Sequence, residues 1–311
     1  MALVKGWNSQ NIEEGTFTDC AYYLGTIRRG IGHSFTTATG WTARRGTWDR
    51  ANNGITYRVG SDGTGRARIT VDRNTANANY RVISDVVVGA SGFGGPTGRD
   101  DAAASGDYYA TLVRVDSSQL SVFRFDNDGA VQLAATAQAF TAGQLYRPGL
   151  SFDGGASQFV SGIETVTGAT VARTSDATYT TGRIGVLTAN APFVALHVYA
   201  DHGAATATYV SPTLDAGSSL AADVAGWGES LGSGDVTIDV DLRDSGNSGT
   251  YDATALSTPT GSTFTSATGQ YRNFRANLSG NAQLTQTVTI AKGNDAGGAS
   301  EIMGGWGGYY A

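Results

Sequence analysis

The sequence contains a single cysteine, Cys20, among its 311 residues. One cysteine excludes an intrachain disulfide framework, and it also excludes a zinc site built from several cysteines. Lysine occurs only at Lys5 and Lys292, so arginine supplies nearly all the positive charge. No block of Lys and Arg stands out and the formal net charge is −6, which excludes the basic footprint of a nucleic-acid-binding protein.

Long apolar runs are also missing. No stretch approaches the roughly 18 apolar residues that a membrane span requires. Residues 1–8 contain no apolar segment of the kind found in a secretory signal. We therefore expect no membrane span and no signal peptide, and we expect synthesis in the cytoplasm.

Proline is scarce, with 5 residues, and charged residues make up 15% of the chain, against about 25% in an average protein. Glycine is abundant, with 44 residues, and many short apolar runs are separated by glycine, threonine, serine and asparagine. This composition is typical of an all-β protein with many turns. Domains average about 150 residues, so a chain of this length is predicted to form two.

The first 200 residues contain about a dozen predicted strands. Residues 181–187 and 193–199 flank a turn at 190–192, and we predict that they form an antiparallel pair that closes a β-sandwich. Residues 126–129 are predicted to form a hairpin turn. The glycine-rich residues 89–102 lack the Lys-Ser/Thr ending of a phosphate-binding loop, and we predict a long exposed loop of the kind that carries recognition.

The last third of the chain contains a second set of predicted strands. Within it, residues 235–243 alternate between apolar and polar side chains. The residues predicted to face a core are Val236, Ile238, Val240 and Leu242. The polar residues between them, including Asp239 and Asp241, are predicted to face water.

The predicted organisation has four parts: an N-terminal arm (1–33), a larger β-sandwich (34–203), a smaller β-sandwich (204–290) and a glycine-rich, aromatic tail (291–311). Residues 1–33 are interpreted either as an arm that docks into a partner or as an edge strand that starts the sandwich. The tail either docks into a neighbouring subunit or folds back on its own domain, and exposed aromatics favour docking. The residues predicted to dock are Trp7, Trp306, Tyr309 and Tyr310.

Several motifs of the larger domain resemble a known fold. Trp41 and the Gly-Thr-Trp run at 46–48 are followed by a tyrosine-led strand at Tyr108 and by a strand at 120–125. The Gly-Arg-Ile-Gly run at 182–185 precedes the strand at 193–199. Over about residues 34–201 this order resembles a laminin-G or concanavalin-like jelly roll. The resemblance implies two antiparallel sheets packed face to face, a fold used for sugar binding, protein binding and virion parts.

The second domain carries a resemblance of its own. The segment 211–217, Trp227, the strand that ends at Arg243 and the strand at 269–278 are similar to a small β-sandwich appended to phage head and tail proteins and to bacterial surface proteins. This resemblance implies a virion component with other virion proteins and further copies of itself as partners.

Two groups of residues are candidate binding sites. Trp41, Trp48 and Tyr57 are candidates for an aromatic sugar platform, although tryptophan in such sandwiches is more often part of the core. The jelly-roll resemblance implies calcium as the one metal to consider, and Asp126 and Asp128 are the candidate ligands. The alternative for these aspartates is an ordinary Asx turn, which turn chemistry favours.

The sequence favours a binding protein over an enzyme. Glycoside hydrolysis requires two facing carboxylates, and Glu164 is the one glutamate within the larger domain, with no acidic neighbour two residues away. We predict a structural virion component (head or tail fibre, spike or decoration protein) located in the virion, with a host surface glycan as a possible ligand. The alternative is a bacterial carbohydrate-binding or adhesion module, and a polysaccharide hydrolase is the third hypothesis.

Overall fold

The protein is described from a computed structural model, which covers residues 15–23, 26–33, 40–50, 57–60, 65–75, 78–153, 159–165, 167–190, 193–201, 206–243, 250–257, 259, 262–285 and 288–291. Two compact units are present: Gly30–Gly203 forms the larger unit, and Met1–Arg29 together with Ala204–Ala311 forms the smaller unit. Every regular element in the described ranges is a β-strand, which confirms the predicted all-β class. Those ranges accordingly hold no helix that is long and apolar enough to cross a membrane.

The strands are numbered along the chain. The smaller unit begins with β1 (Thr16–Thr18), β2 (Cys20–Tyr23) and β3 (Thr26–Arg29). The larger unit contains β4 (Ile31–His33), β5 (Trp41–Arg45), β6 (Thr47–Arg50), β7 (Tyr57–Gly60), β8 (Arg66–Thr75), β9 (Tyr80–Val88), β10 (Phe93–Asp100), β11 (Tyr108–Arg114), β12 (Gln119–Asp126), β13 (Gly129–Ala137), β14 (Leu145–Tyr146), β15 (Pro148–Asp153), β16 (Phe159–Glu164), β17 (Thr170–Ser175), β18 (Gly182–Ala189) and β19 (Phe193–Asp201). The smaller unit continues with β20 (Thr206–Val210), β21 (Leu214–Gly226), β22 (Glu229–Ser230), β23 (Val236–Arg243), β24 (Ala253–Leu256), β25 (Ser262–Ser279), β26 (Gln283–Leu284) and β27 (Thr289–Ala291).

The larger unit is a sandwich of two antiparallel sheets. Sheet I has the strand order β17-β16-β15-β9-β19-β7-β6, with β14 beside β9 and β4 beside β19. Sheet II has the order β13-β12-β11-β10-β18-β8-β5. Aliphatic and aromatic side chains from both sheets are buried between them, for example Val82 and Val86 from sheet I with Val122 and Val186 from sheet II. The predicted β-sandwich architecture is therefore confirmed.

The predicted pairing of residues 181–187 with 193–199 is wrong. Strand β18 lies in sheet II between β10 and β8, whereas β19 lies in sheet I between β9 and β7. The two strands are consecutive in the chain, but each is central in its own sheet and has partner strands on both edges. Asn190 ends β18 with a positive φ of 66° and donates its N–H to the carbonyl of Gly65 at 2.6 Å.

The predicted exposed loop at 89–102 is also wrong, because most of it is strand β10 in the middle of sheet II. Residues 94–100 are buried throughout. Glycine here serves close packing: a Cβ added at Gly95 would lie 2.0 Å from the carbonyl oxygen of Thr111 on β11. Glycine in a strand interior often marks such a close approach of two backbones.

The hairpin turn predicted at residues 126–129 is confirmed. Asp126 and Gly129 face each other across β12 and β13, and the two residues between them, Asn127 and Asp128, have φ values of 48° and 65°. Two successive positive φ values are typical of the type I′ turn, which asparagine, aspartate and glycine tolerate best.

The smaller unit contains a sheet with the order β1-β20-β25-β21-β27, joined by β23 and β24, and a sheet with the order β2-β3-β26-β22. The four residues of 235–243 predicted to face a core are 0–4% exposed, which confirms that part of the prediction. Cys20 and Ile27, within the segment predicted to be an N-terminal arm, are buried in the same core. The predicted docking residues Trp7, Trp306, Tyr309 and Tyr310 lie outside the described residues.

The prediction that Asp239 and Asp241 face water is wrong, since both are 2% exposed. Asp239 accepts hydrogen bonds from the backbone N–H of Ala255 at 2.7 Å, from Arg275 Nε at 2.6 Å and from Asn277 Nδ2 at 3.0 Å. Part of the chain that follows β23 therefore covers the polar face of the strand and supplies the donors that a buried carboxylate needs.

Candidate functional site

The candidate site lies on the outer face of sheet II, which points away from the core. Along β11, Tyr109 and Val113 point into the core, whereas Tyr108 and Leu112 lie on the opposite face. The same alternation of period two places Phe123 of β12 on that outer face. An antiparallel sheet normally presents polar side chains on its solvent face, so apolar residues on both faces of β11 and β12 are unusual.

Aromatic rings form an apolar cluster on this face. The ring of Tyr108 stacks on that of Phe125 with a centroid distance of 4.5 Å and an interplanar angle of 15°. Phe123 lies 5.9 Å from Phe125, and Phe93 of β10 packs against the same cluster. Tyr108 and Phe125 are buried, whereas Phe93 and Phe123 are half-buried and keep part of their rings accessible.

An open cavity of about 290 Å³ borders these rings. Its volume lies near the lower end of the range of about 300–1,000 Å³ that is usual for small-molecule sites. The residues that line it are Arg66, Phe93, Leu112, Arg114, Phe123, Phe125, Asp128 and Ala130. We call this set the aromatic–arginine surface.

Two arginines pack over the rings. The guanidinium carbon of Arg114 lies 5.7 Å from the ring centroids of both Phe93 and Phe123, a distance at which cation–π attraction operates. Arg114 also binds Asp116 through Nε at 3.2 Å and Nη2 at 3.0 Å. The guanidinium carbon of Arg66 lies 6.0 Å from the Phe125 ring, and its Nη1 donates to the backbone carbonyl of Asp128 at 2.8 Å.

A buried ion pair lies beside the aromatic cluster. Arg68 Nε lies 3.3 Å from Asp100 Oδ2, and both side chains are at most 1% exposed. The guanidinium of Arg68 also lies 4.2 Å from the ring of Tyr108 and donates Nη2 to the carbonyl of Ala103. Burial raises the pKa of Asp100 to about 6, although Arg68 opposes the shift. Arg68 therefore connects a buried carboxylate to the ring that supports Phe125.

Asp126 and Asp128, the two candidate calcium ligands, both accept hydrogen bonds from arginines. Asp128 accepts from Arg45 Nη1 at 2.8 Å and from the hydroxyl of Tyr108 at 3.4 Å. Calcium needs six to eight oxygen ligands, and guanidinium groups bound to the same carboxylates would repel it. Within the described part of the chain, no group of three His, Cys, Asp or Glu side chains is close enough to hold a metal.

The second candidate ligand, Asp126, belongs to a separate network at the edge of the sandwich. Arg124 donates Nε to Asp126 at 3.0 Å and Nη1 to Asp176 at 2.6 Å, and Tyr109 and Tyr179 donate hydroxyls to Asp176 and Asp126 respectively. The hydrogen bonds from Arg124 and Tyr179 hold the pKa of Asp126 below its usual range. Burial acts to raise the pKa of Asp176, but hydrogen bonds led by that from Tyr109 outweigh it and the pKa is lowered.

This network has a consequence for catalysis. A glycosidase needs one carboxyl group that stays protonated and serves as the general acid. Asp126 and Asp176 both have lowered pKa values, so neither holds a proton at neutral pH. Glu164, on which the hydrolase hypothesis depends, belongs to β16, but the structure does not describe its side chain.

Two of the three residues predicted to form a sugar platform, Trp41 and Trp48, pack into or against the main core. Trp48 of β6, in sheet I, is 9% exposed, lies in the main core and donates Nε1 to the carbonyl of Arg45 at 3.3 Å. Trp41 of β5, in sheet II, is half-buried against the same core. Tyr57 belongs to β7, and its side chain is not described. The accessible aromatic rings of the site are instead Phe93 and Phe123.

Comparison with known proteins gives likenesses at the level of fold. No protein-family model matches the chain, and no curated protein does. The carbohydrate-binding module CBM66 from Bacillus subtilis superposes with a TM-score of 0.44 and 21% identity, over 52% of this chain and 95% of that one. The exoplasmic domain of VIP36, in its Ca2+/Man3GlcNAc-bound form, has a TM-score of 0.41 and 9% identity, over 54% and 86%. A protein with a galectin-like fold from Bacillus subtilis has a TM-score of 0.44 and 14% identity, over 60% and 98%.

These TM-scores are all below 0.5, so the neighbours leave the ligand of this chain open.

Proposed function

We propose that the larger unit is a non-catalytic carbohydrate-binding module and that the aromatic–arginine surface is its binding site. The observation that carries this proposal is the pair of half-buried rings, Phe93 and Phe123, which border an open cavity together with the guanidinium of Arg114. Phe93 and Phe123 pack on the rim of a small buried cluster on this face, but both keep part of their rings accessible to a ligand.

The chemistry of sugars matches this combination. A pyranose ring presents an apolar face of C–H groups and a rim of hydroxyls. The apolar face packs on an aromatic ring, and the hydroxyls need donors and acceptors at fixed positions around it. Arg66 and Arg114 supply donors at the cavity, and Asp128 supplies carboxylate oxygens.

We infer that the module is non-catalytic from the protonation and the exposure of three carboxyl groups, those of Asp100, Asp126 and Asp176. Asp126 and Asp176 are ionised and bound to Arg124. Asp100 has a pKa raised to about 6, but its side chain is 0% exposed and cannot reach a ligand. A general acid needs both a proton and access to the substrate; Asp126 and Asp176 lack the proton, and Asp100 lacks the access.

Phe123→Ala is expected to weaken oligosaccharide binding by about 30-fold, because aromatic anchors near the centre of an interface commonly contribute about 2 kcal/mol. The ring is half-buried, so the fold should survive its removal. Binding is measured by isothermal titration with the tightest ligand from a glycan array, and the fold is checked by thermal unfolding.

The matched control is Leu145→Ala. Leu145 is 40% exposed on β14 of sheet I, so this variant also removes an accessible apolar side chain, but from the other sheet. Its affinity should equal that of the unmodified protein. Equal affinities for all three proteins would contradict the proposed site, and an array without any bound glycan would contradict the function.

A place for this module in a virion, with virion proteins as partners and host glycans as targets, stays a prediction from the sequence. The aromatic residues predicted to mediate docking lie outside the described residues.

A further inference from the structure

The charges that line the cavity are unequal in number. Arg66 and Arg114 contribute two guanidiniums, and Asp128 contributes the one carboxylate among the eight lining residues. Arginine stays ionised at any physiological pH, and its planar fork matches the oxygens of a carboxylate or a sulfate. The wall of the cavity therefore favours a ligand with negative charge.

Neighbouring side chains that do not line the cavity compensate the negative charge of Asp128. Arg45 Nη1 lies 2.8 Å from Asp128 Oδ2, and Arg68 Nη1 lies 4.0 Å from Asp128 Oδ1. The hydroxyl of Tyr108 also donates to Oδ1 at 3.4 Å. A carboxylate that is hydrogen-bonded to Arg45 and Tyr108, with the charge of Arg68 nearby, repels an incoming anion much less than a free carboxylate would.

Arg114 has donor capacity left. Asp116 binds its Nε and Nη2, and Nη1 makes no hydrogen bond to the described residues. The rings of Phe93 and Phe123, each 5.7 Å away, fix the guanidinium at the cavity wall. A donor that is held in place loses little side-chain entropy when a ligand arrives.

We propose that the ligand class is an acidic glycan, whose carboxylate or sulfate groups are bound by Arg114 and Arg66 while a sugar ring packs on Phe93 or Phe123. This inference rests on the proposed function and names the ligand class of the same site. The formal net charge of the chain is −6, so long-range attraction does not explain binding of an anion and the local guanidiniums have to supply it.

The test compares each glycan with its own neutral form. One probe is a uronic-acid oligosaccharide before and after chemical reduction of its carboxyl groups to primary alcohols. The other probe is a sulfated oligosaccharide before and after desulfation. In at least one pair, we expect the acidic form to bind at least about tenfold more tightly than the neutral form. The neutral form lacks the anionic group that accepts hydrogen bonds from the guanidiniums.

Arg114→Gln should reduce this preference, and Arg66→Gln together with Arg114→Gln should remove it, while Arg183→Gln should keep it. Arg183 is the matched control because it lies on β18 of the same sheet, is 29% exposed, binds Asp72 at 3.2 Å and does not line the cavity. The preference of the unmodified protein should also shrink as salt is raised, since ions screen exposed charges.

The outcomes separate the two proposals. If neutral and acidic forms bind the unmodified protein equally well, or if Arg66→Gln together with Arg114→Gln keeps the acidic preference, the inference of an acidic ligand is overturned and carbohydrate binding stands. If neither form of either probe binds and a glycan array is also blank, both proposals are overturned.

Discussion

Replacing Arg68 with methionine is expected to lower the free energy of unfolding of the larger unit by about 3–5 kcal/mol near pH 8. The variant leaves Asp100 ionised, 0% exposed and without the guanidinium that lies 3.3 Å from it. Methionine keeps most of the side-chain volume, so the loss reports the missing guanidinium, which also donates to the carbonyl of Ala103 and packs on the ring of Tyr108. Hydrogen exchange of the amides of β10 and β11, at increasing urea, measures the effect within the larger unit.

The pH dependence of this loss is a sharper test than its size. The folded-state pKa of Asp100 is raised above its unfolded value to about 6, so this group's contribution to stability falls as pH rises from about 4 to about 6. Without Arg68 the pKa rises further, and near pH 5 the carboxyl is neutral and needs no partner. The difference between the two proteins should therefore be small near pH 5 and large near pH 8.

The control for Arg68→Met is the double variant Arg68→Met with Asp100→Asn. It removes both charges, and it should recover most of the lost stability at the higher pH, because a neutral buried pair costs less than one buried charge. A cost of about 1 kcal/mol or less for Arg68→Met at every pH would match an exposed ion pair and would contradict the account of the buried pair.

Asp239→Ala is expected to have a comparable effect in the smaller unit, about 3–5 kcal/mol. The carboxylate accepts three hydrogen bonds, from Ala255 N, Arg275 Nε and Asn277 Nδ2. Alanine would remove this acceptor from all three, and of the three only Asn277 Nδ2 keeps a second described acceptor at this site, the hydroxyl of Thr237 at 3.4 Å. The loss should appear as faster hydrogen exchange in β23 and β25, which pair along their length.

Asp235→Ala is the matched control for that experiment. Asp235 is exposed and belongs to the same alternating stretch of sequence, so its side chain should contribute within about 0.5 kcal/mol. If Asp235→Ala and Asp239→Ala lowered protection equally, the burial of Asp239 would not be the cause.

Strand existence could be predicted from the sequence, because period-two alternation and turn residues are local signals. The hairpin at residues 126–129 is such a case, since two positive φ values suit Asn127 and Asp128 whatever surrounds them. Strand partners could not be predicted in the same way. Strands β18 and β19 are adjacent in sequence and apolar, and nothing local indicates that each belongs to a different sheet.

Asp239 shows a second limit of local patterns. The alternation around it correctly predicts that Val240 faces the core. It cannot indicate that residues such as Ala255, 16 positions later, return to cover the polar face of the same strand. A polar side chain opposite a core is exposed only when no other segment packs on it.

The aromatic–arginine surface could not be predicted from the sequence for a related reason. In β12 the core residues Leu120 and Val122 alternate with Ser121, Phe123 and Phe125, so both faces of the strand hold apolar residues and composition does not tell which one is the core. The sequence prediction chose Trp41 and Trp48 because aromatic rings can form a sugar platform. In the structure Trp48 is buried in the core and Trp41 packs against it. The signal that could have identified this surface is that β12 carries Phe123 and Phe125 in addition to the apolar residues of its core face.

The most direct test of the central claim is a crystal structure of the full chain bound to the oligosaccharide that it binds most tightly. The account predicts a sugar ring packed on Phe93 or Phe123 within the cavity on the outer face of sheet II, with its polar groups on Arg114 or Arg66. A sugar bound instead to sheet I or to the smaller unit, with that cavity empty, would contradict it.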